Sequence, residues 1–168
     1  METWRRILCP TDFSSTSRAA LRWAMRLGHR PDVEIVILHV VLPMSAYEGE
    51  LIGWPAFGEA YQAGRRRWAE AAMAKLVAAA RRRGVRARGV VVEGSPGREV
   101  AARAASIRAD LIVIGTRGGH RLRRLLFGST TEAVIQRAPC PVLAVRPGQR
   151  PVSIENLPRR VRPFRAVA

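Results

Sequence analysis

Five short apolar runs separated by stretches of helical period predict a single α/β sandwich, a five-stranded parallel sheet with helices on both faces. The runs are rich in β-branched residues, as strands buried on both faces are. Strand and helix alternate throughout, which demands right-handed crossovers.

Residues 6 to 9 (Arg-Ile-Leu-Cys) form the first run, closed by Pro10. The others are 34 to 42, 85 to 92, 111 to 114 and 142 to 145. From Ser15 to Leu27, Ala20, Ala24 and Leu27 share one helical face, while Arg18, Arg22, Arg26 and Arg30 make a basic row on another. A second helix is expected from about Glu59 to Arg83, with Trp68, Ala72, Leu76 and Ala79 on one stripe and Gly84 as its stop. A third begins at Ser95-Pro96, a cap followed by proline at the first helical position, and ends near Arg108. The fourth starts at Ser129, where Ser-Thr-Thr-Glu132 has capping-box spacing, and stops before Pro139.

Residues 43 to 58, with Tyr47, Trp54 and Phe57, interrupt the alternation and read as a surface excursion with a hydrophobic anchor, a lid or partner surface being the alternative. After Pro147 the chain has no period and gains further prolines and arginines. The expected division is therefore one domain over 1–147 and a mobile basic tail over 148–168.

The composition, 48% apolar and 25% charged over 168 residues, is that of an ordinary globular domain. Such a length buries roughly 70% of the unfolded chain's surface, enough without a disulfide or metal staple. Cys9 and Cys140 show no C-x-x-C spacing, and opposite ends of a parallel sheet are too far apart for a disulfide. No run reaches the roughly 18 apolar residues of a membrane span, and no signal-peptide stretch opens the chain, so a reducing, cytoplasmic setting is expected.

The charge is the unusual quantity, with 29 basic against 13 acidic side chains and a net +16. A nucleic-acid or membrane surface, a phosphate-bearing ligand, or an arginine-rich coding bias would each account for it.

In a doubly wound sheet a ligand sits beyond the carboxyl ends of the strands, where strand order reverses. Strand four runs into Gly115-Thr-Arg117-Gly118-Gly119, and after nine residues that follow Gly118 comes Gly128-Ser129-Thr130 at a helix start. Glycines let the backbone approach a ligand closely, and the first amides of a helix favour an anion. With Arg117, Arg121, Arg123 and Arg124 in the same stretch and no acid before Glu132, phosphate is the natural guest. A Walker loop is excluded because no lysine lies nearby, and the dinucleotide fingerprint because strand one leads into Pro10-Thr11-Asp12-Phe13-Ser14. Asp12 would repel phosphate, so a ribose, a base or a metal suits it better.

Those segments, together with Leu38-His39-Val40, the G-x2-G-x9-G-[ST] spacing and the ending Ala138-Pro139-Cys140-Pro141-Val142-Leu143, resemble the universal stress protein family, specifically its ATP-binding branch, over residues 4 to 147. The resemblance implies a Rossmann-like fold of the adenine-nucleotide-binding type. It implies that Asp12 and the Val40 backbone hold adenine and ribose, that Pro10 and Thr11 shape the turn, and that Gly115, Gly118, Gly128, Ser129 and Thr130 line a triphosphate carrying Mg2+ or Mn2+. Ile114, Arg117 and Gly119 complete the expected set, with no metal ligand among the side chains. It also implies a homodimer through Val142, Leu143, Ala144 and Val145, an edge that must otherwise be covered.

The expected work is nucleotide-dependent stress sensing or signalling. No base oriented by a third group, nucleophile elbow or catalytic lysine points to rapid turnover, which leaves at most slow ATP hydrolysis or autophosphorylation. An ATP pyrophosphatase or adenylyltransferase would carry S-G-G-x-D-S or H-I-G-H after strand one, and neither occurs. A nucleic-acid-associated accessory protein using the +16 charge is the other alternative. His39 reads as a packed residue near a strand end, His29 as solvated, and Arg65–Arg67 and Arg81–Arg83 as solvated helix residues.

Overall fold

The computed structural model describes residues 4–43, 55–116 and 128–148. Within them the chain runs β1 (Arg6–Pro10), α1 (Ser15–Leu27), β2 (Glu34–Val41), α2 (Pro55–Arg81), β3 (Arg86–Glu93), α3 (Pro96–Ser106), β4 (Leu111–Gly115), α4 (Ser129–Arg137) and β5 (Val142–Val145). All pairings are parallel, in the order β3-β2-β1-β4-β5. The predicted five-stranded α/β sandwich is the fold, and most element ends fall within two residues of expectation.

Both faces of the sheet are buried, which is why its strands read as unbroken apolar runs. On one face Ile7, Cys9, Ile35, Ile37 and Val113 pack against α1 and α2. On the other, Leu8, Val36, Leu38 and Ile112 pack against Val100 and Ala104 of α3 and Val134 of α4. Each such aliphatic side chain contributes about 1.5–3 kcal/mol. Cys9 belongs to the first core and Cys140 packs against the second, so the sheet itself separates the two free thiols.

Helix α1 is set by its sequence. Ala20, Ala24 and Leu27 are buried as its period predicts, and the Ser14 hydroxyl caps it by accepting the Ser17 amide at 3.1 Å. Gly84, after α2, takes φ +76, the left-handed conformation that ends helices. At the far edge of the sheet the Asp110 carboxylate accepts the Arg5 and Arg6 amides at 2.7 and 2.8 Å, tying the start of β1 to the start of β4.

Two sequence readings are corrected. The fully buried stripe of α2 is Ala69, Met73 and Ala80, one position on from the expected Trp68, Ala72 and Ala79, while the expected Leu76 packs against the same core from a half-buried position. Trp68 is 61% exposed, and its ring meets the edge of Phe13 at 5.2 Å instead of entering the core. Ser129 does not cap α4 as a capping box would require. Gly128 is the N-cap and Ser129 the first helical residue, because the Gly128 carbonyl already accepts the Glu132 amide at 3.0 Å.

Of the 43–58 excursion, residues 44–54 lie outside the described residues, as does the tail from 149 onward. Among the described residues no helix is long and apolar enough to cross a membrane.

Candidate functional site

The strand order reverses beside β1. The chain leaves β1 for β2 on one side and, after β3, crosses to β4 on the other. Whereas β1 pairs with β2 from Arg6↔Glu34 to Pro10↔Leu38, it pairs with β4 only at Ile7↔Leu111 and Leu8↔Ile112. The two strands part above Leu8, and the register sets Pro10 level with Ile114 and Thr11 level with Gly115. This opening is the crevice in which doubly wound sheets take ligands.

Hydrogen bonds fix the β1 side of the crevice closely. The Thr11 amide donates to the Leu38 carbonyl at 2.8 Å, and the Thr11 hydroxyl lies 3.1 Å from that of Ser17 and accepts the Phe13 amide at 3.0 Å. Asp12 Oδ1 accepts the Ser14 amide at 3.0 Å, an Asx turn that leads into the α1 cap. Partial burial pushes the Asp12 carboxyl up, but hydrogen bonds from the Ser14 side chain and backbone, from Ser17 and from its own amide outweigh it and leave it below 3.8. Asp12 is therefore an ionised acceptor at neutral pH.

Phe13 holds this turn in an unusual conformation, φ +61, which costs a residue with a Cβ energy unless its surroundings fix it. Its ring lies 4.5 Å from that of His39 and 5.2 Å from that of Trp68. His39 is half-buried, as expected of a packed strand-end residue, and its Nδ1 is 2.8 Å from the Thr11 carbonyl. A carbonyl only accepts, so Nδ1 carries the proton. Beside this cluster a groove of about 590 Å³ opens between the end of β2 and α2, lined by His39, Val41, Tyr61, Arg65 and Trp68. It lies on the α2 side of the sheet and not over the β1–β4 opening.

The β4 side carries a correction. Gly115 is required by packing: a Cβ there would lie 2.8 Å from Thr16 Cγ2 and 3.1 Å from the Thr16 backbone of α1. The Gly128 amide is turned inward, donating to the Thr116 carbonyl at 2.8 Å, while the Thr116 amide donates to Val145. Gly128 therefore offers no donor to a ligand. The amides left without intrahelical acceptors are those of Ser129, Thr130 and Thr131, at the positive end of the α4 dipole, and the glycine cap has no side chain to satisfy them.

Of the residues expected to bind, Pro10, Thr11, Asp12, Ile114, Gly115, Gly128, Ser129 and Thr130 border the crevice, and half-buried Val40 lies on β2 two residues past the partner of Pro10. Arg117, Gly118 and Gly119 lie outside the described residues. Sequence reasoning missed Thr131, whose buried hydroxyl donates to the Gly115 carbonyl at 2.9 Å, and Thr116, both of which hold the two ends of the β4–α4 connection together. A hydroxyl residue on the inner side of a short amphipathic helix was the available signal. Among the described residues no three His, Cys, Asp or Glu side chains converge as a metal cage.

This arrangement has relatives. The chain matches the universal stress protein family over residues 3–146. It belongs to the universal stress protein family. A universal stress protein of Methanocaldococcus jannaschii is 34% identical over 145 residues, covering 85% of this chain and 82% of that one. The solved structure of a second universal stress protein of that organism superposes with a TM-score of 0.77 at 27% identity, covering 89% of this chain and all of that one. Two further universal stress protein structures, one in complex with cAMP and one from Archaeoglobus fulgidus in complex with dAMP, have TM-scores of 0.60 and 0.59. At 19% identity, covering 88% and 86% of this chain and 100% and 99% of theirs, they share the fold alone.

Proposed function

We propose that this universal stress protein binds ATP in the β1–β4 crevice and acts as a nucleotide-dependent sensor or signalling module in the cytoplasm. The observation that carries the reading is the start of α4. Three helix-terminal amides and the hydroxyls of Ser129 and Thr130 stand at the carboxyl edge of the sheet, where a polyphosphate finds both donors and a favourable dipole. The ionised Asp12 turn borders the same crevice from β1 and suits a ribose hydroxyl, which donates to a carboxylate, and not a phosphate, which the carboxylate repels. Gly118 and Gly119, with Arg117, extend the phosphate side in this reading.

A divalent cation would be held by the phosphate oxygens, because among the described residues no three His, Cys, Asp or Glu side chains gather to hold one. With no activated nucleophile or positioned base at the crevice among the described residues, the protein would hold ATP and report its presence, with hydrolysis slow at most. Pairing of a second copy along the β5 edge, Val142–Val145, would complete a homodimer and cover an otherwise open strand.

Mass spectrometry of the natively purified protein, followed by calorimetric titration with ATP, AMP and cAMP, tests the reading. ATP is expected to bind most tightly, and Gly118→Val to abolish binding while the protein stays folded. Unchanged ATP affinity in a folded Gly118→Val protein overturns the phosphate assignment, and preferential binding of AMP or cAMP overturns the triphosphate.

A further inference from the structure

Gly64 has no reason within the fold. It stands inside α2, where glycine is the least favourable residue after proline. Its φ is not positive, and a Cβ added to it meets nothing within 4 Å. Gly115, by contrast, is forced by the Thr16 backbone. A helical glycine that neither packing nor conformation requires leaves bare backbone for something outside the fold to approach.

What it borders is the groove of about 590 Å³ between α2 and the end of β2. Tyr61, Gly64, Arg65 and Trp68 all line it, and their spacing puts the four on one face of the helix. The outer two are about 10 Å apart along the axis. Tyr61 and Trp68 are 52% and 61% exposed, so folding leaves two large rings in water on either side of the gap at Gly64. Across from them stand His39 and Val41, alternate residues of β2. Small-molecule sites have this lining: roughly 300–1,000 Å³, mostly apolar and aromatic, with a few polar groups at fixed positions.

The protein fixes those polar groups. Half-buried Arg65 donates to the Leu42 carbonyl at 3.1 Å, and its guanidinium lies 6.0 Å from the centre of the Tyr61 ring. The Leu42 bond takes one donor of a guanidinium fork and a neutral acceptor, so the cation is positioned without its charge being cancelled. Among the described residues no ion pair includes it. The Nδ1 of His39 is committed to the Thr11 carbonyl, which makes Nε2 an acceptor in the neutral ring. Trp68 is braced by its edge contact with Phe13.

We infer that this groove, separate from the β1–β4 crevice, binds a flat aromatic monocarboxylate that carries a ring N–H or O–H. The ring rests on the Gly64 backbone beside Trp68, the carboxylate meets Arg65, and the ring donor meets His39. An aliphatic acid would gain little from a flat floor between two aromatic rings, and a neutral aromatic would leave the positioned cation without a counter-charge. A nucleotide brings more negative charge than the single cation in the lining matches.

The test titrates indole-3-carboxylate, indole-3-carboxamide and 1-methylindole-3-carboxylate into the full chain by calorimetry, with heteronuclear NMR to locate the site. The acid is expected to bind with shifts centred on the Gly64 amide and the Trp68 indole N–H, and the two analogues to bind about tenfold more weakly. Gly64→Ala is expected to weaken the acid by at least about tenfold while melting no lower than the parent, which separates lost binding from lost folding. Arg65→Gln is expected to bind acid and carboxamide alike, and saturating ATP to leave the acid's affinity for the parent unchanged. Absence of binding by the parent, undiminished binding by Gly64→Ala, or displacement by ATP overturns the site. Equal affinity of the parent for the acid and either analogue overturns the ligand class.

Discussion

His39 Nδ1 donates to the carbonyl of Thr11 across 2.8 Å, joining the end of β2 to the residue that opens the Asp12 turn. Thr11 is buried, so its carbonyl has little access to water as a substitute partner. The same imidazole ring lies against Phe13, the residue with positive φ. One side chain therefore holds both the hydrogen bonding and the strained conformation of the β1 side of the crevice.

Replacing His39 by Leu leaves that carbonyl unsatisfied and is expected to cost about 1–3 kcal/mol. Asn places an amide donor near the Nδ1 position and should recover part of the loss. Urea midpoints at constant m-value measure both, and nucleotide affinity should fall in the Leu variant because Asp12 loses its fixed approach.

Gly115→Ala places a Cβ against the Thr16 backbone, which cannot swing aside as a side chain can. The expected cost is about 1–3 kcal/mol from overpacking, with the β4–α1 contact loosened. The converse substitution, Gly64→Ala in α2, meets nothing within 4 Å and should stabilise the protein by about 0.5–1 kcal/mol through helix propensity. A melting temperature that does not fall for Gly115→Ala would show that α1 sits further from β4 than described.

The Asp12 carboxyl is held below 3.8 in the folded protein. A carboxyl depressed by folding contributes stability above its unfolded value and loses it as pH falls through the folded value, so the contribution disappears in the acid range below about 4. Asp12→Asn should therefore lower stability near neutrality yet show a shallower decline between about pH 5 and 2 than the parent. Denaturant unfolding at a series of pH values, or direct titration of the Asp12 carboxyl by NMR, gives the comparison.

The sheet was legible because strands covered on both faces leave a simple apolar record, and Val142 to Val145 is recovered to the residue. The stripe of α2 was harder to read. Alanine stands at 69, 71, 72, 74, 78, 79 and 80, so the pattern does not separate one face from its neighbour, and the single tryptophan drew the reading toward an exposed position. The start of α4 at Ser129 was legible, but its cap was not, because serine followed by Glu at the third position imitates a capping box, while Gly128 leaves no side-chain signature. At the site, residue types pointed to the crevice, but which amides face outward depends on tertiary partners such as Thr116 and Thr131 that no local pattern encodes.

The bond from Gly128 to Thr116 holds the two ends of the β4–α4 connection together. Whatever is spliced between those two residues closes its loop at a point already paid for by the sheet, so lengthening it adds only a slowly growing entropic cost. Evolution can thus vary the length of that connection by insertion or deletion, without disturbing a single strand register.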